Sequence, residues 1–196
     1  MNPIVFMLAI FGLPAFVLFW LCRISLGGWS SVAVALLVAL MFCLGNALHE
    51  LSHATAVWAF GGTITDVHLV PNVFRGDFIA YVRYEAHNET PLQMTVTILA
   101  PYLVDIAILT LVLLCIPHIG RWNQVMLSGV ILFGLVRPLG SLMKEALFLL
   151  RNVRCDFGDL ITYVGKIHSS EMVIGLLLAQ LALSAMIVVG IRKMNG

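Results

Sequence analysis

Charge is what this sequence has least of. Lys, Arg, Asp and Glu make up 11% of its 196 residues, while 61% are hydrophobic. A soluble domain is about a quarter charged and about half apolar. With a net charge of +1, there is no electrostatic footprint for nucleic acid. The same scarcity leaves almost no room for a soluble domain. The four cysteines, Cys22, Cys43, Cys115 and Cys155, show no CxxC spacing, which speaks against a disulfide framework. Three lie in apolar runs, where a small buried thiol is the ordinary role. No basic stretch precedes the first apolar run, so no cleavable signal is expected. No internal repeat or low-complexity tract is present.

What is present is a series of long apolar runs, with mean hydropathy +1.01. A helix needs about 20 residues to cross a hydrocarbon core of about 30 Å. Runs over residues 3–22, 31–60, 92–116, 122–150 and 171–191 meet that length. They predict an all-α polytopic membrane protein: about five transmembrane helices in a single integral membrane domain over 1–196, embedded in a lipid bilayer. Gly61-Gly62 should stop the second span. The third carries Pro101 and Asp105. The fourth is interrupted by Arg137-Pro138, and Pro138 should kink it. Arg137 inside an apolar run needs a partner or a water-filled cavity. Asp105 has the complementary charge, although a polar helix-packing contact is its preferred reading.

The one extended polar stretch lies between the second and third spans. Residues 63–70 and 78–84 are rich in Thr, Val, Ile, Phe and Tyr, and Pro71-Asn72 and Arg75-Gly76-Asp77 supply turn chemistry between them. A short interfacial β-hairpin over 63–85 is expected, since an open sheet edge cannot face lipid. It serves as a plain connector or as an edge that pairs with an extended peptide. Alternating the spans puts Arg75, Arg83, Arg151, Arg154 and Lys166 on one side, and Arg23, Arg121, Arg192 and Lys193 on the other. Positive-inside bias then places the chain start, the hairpin and the far end of the second span towards the cytoplasm.

That far end reads Asn-Ala-Leu-His-Glu-Leu-Ser-His over 46–53. His49, Glu50 and His53 have the spacing HExxH. Residues four apart share one helix face, so His49 and His53 can present two imidazoles to one cation. Glu50 sits beside them, placed to act as general base on a water at the metal. This is the arrangement of zinc peptidases. Two His and a Glu in an apolar span are costly unless they perform a function. A catalytic zinc takes three protein ligands, and the third must lie at the same depth on the same side. A polar loop over 151–165 satisfies this and offers Asp156 and Asp159. Glu145 is a further candidate, as are His68 and His87 flanking the hairpin. Spacing does not choose among them.

HExxH inside a membrane helix, the Gly61-Gly62 that follows, the short strands and an Asp near a later span resemble the site-2 protease family of intramembrane zinc metalloproteases. The best match is to its compact members without a PDZ domain. The resemblance implies a third ligand Asp in an Asp-Gly setting with an upstream Asn. Asp156-Phe157-Gly158 with Asn152 approximates this, so the role passes to Asp156 ahead of the alternative, Asp159. Asn152 is then the residue to hydrogen-bond substrate or a developing oxyanion. The resemblance further implies one Zn²⁺ per chain, Glu50 as catalytic base, and a transmembrane protein substrate cut in or near its membrane segment. It also implies strands that present the substrate in extended form. With no soluble domain to gate access, a regulatory membrane partner is expected, and the expected location is a prokaryotic cell (inner) membrane. The sequence departs from the family at three points, the first being Phe157 in place of the Gly adjacent to the Asp. No proline lies between Asn152 and Asp156, and the third-span Gly-Pro followed by Asn reads Ala100-Pro101 with Asp105. These departures motivate the rival expectations: a catalytically inactive pseudoprotease that binds membrane partners, or a metal-binding carrier.

Overall fold

The computed structural model describes residues 12, 15–17, 20, 28–69, 80–85, 90–119, 124–150 and 155–195. Within them the chain is mostly helical. Helix α1 spans Gly28–Ala59, strand β1 Thr63–His68 and strand β2 Tyr81–Glu85. Helix α2 spans Pro91–Ile119 and α3 Gln124–Ile131. A π-helical turn, Leu132–Val136, leads into α4, Arg137–Leu150. Helices α5, Asp156–Val164, and α6, Lys166–Asn195, complete the order.

Four stretches are long and apolar enough to cross a membrane: Leu36–Ala59, Pro91–His118, Met126–Leu150 and His168–Lys193. At about 1.5 Å per residue, their 24 to 28 residues exceed a hydrocarbon core of about 30 Å. About five spans are expected from the sequence. The run over 3–22 lies almost wholly outside the described residues, and the other four expected spans correspond to these helices. Many large apolar side chains are exposed on them, Leu36, Leu40, Leu44, Leu48 and Leu51 forming one stripe along α1. On a chain this poor in charge, such a stripe is apolar enough to face lipid.

The chain divides into two compact units. One comprises Met1–Phe42, Asp105–Lys144 and Leu177–Gly196; the other comprises Cys43–Val104 and Glu145–Leu176. In the first, a core forms around Met41, Leu109, Ile131, Leu132, Leu135, Val136, Ile187 and Ile191, all fully buried. Gly134 permits the close approach of α2 there. A Cβ at that position would stand 2.7 Å from Cγ2 of Val112, well inside van der Waals contact. A π-turn lies directly upstream of Pro138, where a kink is expected, and in it the Arg137 N–H reaches back five residues to the Leu132 carbonyl. The proline has no N–H to give, and the widened turn absorbs the break. Arg137 donates to Asp105 in a buried ion pair.

In the second unit, β1 and β2 pair antiparallel, from Thr63 opposite Glu85 to His68 opposite Tyr81, with an irregularity between Ile64 and Asp66. This is the expected hairpin, with its residues 70–79 outside the described set. Gly61 follows α1 with φ +81, a left-handed conformation that glycine adopts without strain. The expected loop over 151–165 is instead largely helix α5. Asp156 and Asp159 lie in its first turn, where negative charge suits the helix dipole. Gly165, at φ +80, ends it.

Candidate metal centre

Helix α1 is nearly uniform in hydrophobicity, so its inward face is marked by polarity instead. Met41, Gly45, His49, His53 and Val57 are all buried and recur every four residues, opposite the leucine stripe. The two histidines therefore share the inward face, one turn apart, as i,i+4 geometry requires. Their rings meet edge to face with centroids 5.0 Å apart.

Asp156 opens α5 and turns its carboxylate to this pair. Its Oδ2 lies 3.1 Å from Nε2 of His49 and 3.4 Å from Nε2 of His53. One ligand atom from each of the three residues lies within 4.8 Å of the others. Two imidazole nitrogens and one carboxylate oxygen are the donor set of a catalytic zinc site, which keeps a fourth position open. The residues present thus fit the ion that the HExxH spacing implies.

Asp159 takes no part in this trio. Its backbone N–H bonds to the Cys155 carbonyl within the first turn of α5. Glu145 is buried on α4, and its Oε2 accepts the backbone N–H of Asp156 at 3.0 Å. It serves as the anionic cap of α5 that the N-cap residue, Cys155, does not supply through its side chain. Burial pushes the Cys155 thiol up, which keeps it protonated rather than a thiolate. His68 lies on β1, stacked on Tyr81 at 5.5 Å; His87 and Asn152 lie outside the described residues.

Burial alone would raise the Asp156 carboxyl. Hydrogen bonds and charge from His49 and His53 outweigh it and hold the group well below the usual carboxylate range. Asp156 is thus an anion at neutral pH, a pure acceptor. The hydroxyl of Tyr102 on α2 also donates to its Oδ2, at 2.9 Å. Tyr102 is fully buried. Its ring packs edge-on against His49 at 5.7 Å and tilted against Phe157 at 5.2 Å. The imidazole of His53 meets the carbonyl of Thr97 through Nδ1 at 2.8 Å. Glu50 is half-buried on α1, next in sequence to His49.

Tyr102, the Thr97 carbonyl and the capping role of Glu145 are not among the residues the sequence singles out for these tasks. Tyr102 stands 54 residues from Asp156 in the chain, so no local spacing announces the contact. No family model, curated protein or solved structure matches the chain.

Proposed function

We propose that this chain is an intramembrane zinc metalloendopeptidase that cleaves a peptide bond in or near the transmembrane segment of a membrane-protein substrate. The convergence of one ligand atom each from His49, His53 and Asp156 within 4.8 Å carries the reading. These atoms would hold one Zn²⁺, which supplies a Lewis acid and brings a water's pKa down towards neutrality. Glu50 then takes the water proton as the nucleophile meets the carbonyl, and gives it to the leaving amine. Asn152 is assigned to hydrogen-bond the substrate or its developing oxyanion. Peptide bonds in a membrane helix are protected by their own hydrogen bonds, so the substrate must unwind at the cut. Among the described residues the β1–β2 sheet has two strands, and strand addition to such a sheet would present an extended peptide.

The basic-residue count favours the cytoplasmic side for the metal end of α1; a prokaryotic cell membrane and a membrane partner that regulates access complete the proposal. The second reading is a pseudoprotease. It is favoured by Ala100-Pro101 and Asp156-Phe157-Gly158, which depart from the family's pattern.

The test is Glu50→Gln, co-expressed with single-span reporters whose membrane segments carry Gly or Pro. Wild type should release the reporter's soluble part. The variant should be slower by about 10²–10⁴-fold while retaining its metal. Equal cleavage by both would remove Glu50 from the chemistry, and no cleavage by either, with zinc bound, would favour the pseudoprotease.

A further inference from the structure

A histidine that ligates a metal keeps one ring nitrogen bare, and the partner of the other nitrogen decides which. His53 meets the Thr97 carbonyl through Nδ1 at 2.8 Å. A carbonyl oxygen can only accept, so Nδ1 carries a proton there, and Nε2 is the nitrogen left for a metal to take. Nε2 is the nitrogen that faces Asp156.

A carbonyl in the middle of a membrane helix is not normally free to do this. In an α-helix the carbonyl of residue 97 belongs to the N–H of residue 101. Residue 101 is proline, which has no N–H. Helix α2 nonetheless runs without interruption over Pro91–Ile119, and Pro101 is buried within it. The sequence has therefore left one carbonyl of the third span unclaimed, at the residue that His53 touches. Neither group has water to turn to, because Thr97 is fully buried and His53 nearly so. An unmet carbonyl and an unmet ring N–H are each expensive in such surroundings, and here each supplies what the other lacks. The Thr97 hydroxyl does not intervene. It is buried without a partner, whereas the hydroxyls of Thr95 and Thr110 on the same helix bond back to Pro91 and Ile106.

We propose that Pro101 is a positioning residue of the metal centre. By withholding one N–H from the third span, it frees the Thr97 carbonyl to fix the tautomer and orientation of His53. The inference rests on the reading of His53 as a metal ligand.

The test uses the full-length chain in detergent, with zinc affinity measured by competition against a chromogenic chelator. Pro101→Ala restores the missing N–H, which then competes for the Thr97 carbonyl. Zinc should bind about 10–100-fold more weakly, the usual loss when a ligand's outer partner is removed. The metal-free variant should melt close to the wild-type temperature, because the hydrogen bond its helix gains offsets the one His53 loses. Pro138→Ala, the control proline of the fourth span, should leave zinc affinity unchanged. Histidine-selective ¹⁵N NMR of the zinc-loaded wild type should show His53 protonated at Nδ1 and metal-bound through Nε2, a readout that stands even if Pro101→Ala fails to fold. Full affinity in folded Pro101→Ala, or metal on Nδ1 of His53, overturns this inference and leaves the zinc site standing. A wild-type chain that takes up no zinc overturns the site, and the inference with it.

Discussion

Asp105 and Arg137 carry opposite charges and find each other; His49, His53 and Asp156 bring together three electron-pair donors and no permanent cation. Both clusters are buried in an apolar chain, and both cost desolvation energy. In the first, the guanidinium answers the carboxylate, and two spans are joined at their polar points. In the second, Asp156 Oδ2 collects His49, His53 and Tyr102, and the charge balance improves when a cation arrives. Charge completeness separates a structural pair from a ligand set. It predicts that the two clusters fail differently when they are cut.

The largest effect is expected at the pair. Arg137→Leu leaves Asp105 as an unpaired buried carboxylate, whose Oδ2 already lacks a hydrogen-bond partner. Unfolding in detergent should show a loss of about 3–5 kcal/mol. The double variant Asp105→Leu/Arg137→Leu should recover most of it, since an apolar replacement of a whole pair is often neutral. A double variant as unstable as the single one would mean the pair does more than neutralise itself. The ligand set should behave in the opposite way. Zinc at a hundredfold excess over its dissociation constant should stabilise wild type by about 2.7 kcal/mol. That gain should vanish in His53→Ala, a variant that also leaves the Thr97 carbonyl unmet and so starts from a lower metal-free stability. Equal stabilisation of Arg137→Leu by zinc would sharpen the contrast. The smallest effect is expected at Glu145→Gln, which keeps an acceptor for the Asp156 N–H but removes the charge at the start of α5. Calorimetry should find a loss of about 0.3–1 kcal/mol with zinc retained. Loss of the metal instead would make Glu145 a ligand.

The legible parts of this molecule were those governed by short-range rules. The i,i+4 spacing of His49 and His53 needs only a helix, and span lengths need only hydropathy. Arg137 demanded a partner on charge alone; Asp105 was read in preference as a polar helix-packing contact, and the structure corrects this by pairing it with Arg137. Asp156 and Asp159 were inseparable by spacing, because three residues apart both fall in the first turn of α5. Which carboxylate turns to the histidines depends on how α5 meets α1, and tertiary packing decides that. Residues 151–165 read as a loop because polar Arg151, Asn152 and Arg154 lead into them, although Asp156–Val164 has the makings of a short amphipathic helix. The proline signal at position 101 was visible, but its beneficiary lies 48 residues earlier, at His53.

The most direct test is zinc per chain in purified wild type, Asp156→Ala and Asp159→Ala. The account predicts close to one zinc in wild type and in Asp159→Ala, and none in Asp156→Ala. Zinc kept by Asp156→Ala, or absent from wild type after metal is supplied, would contradict it.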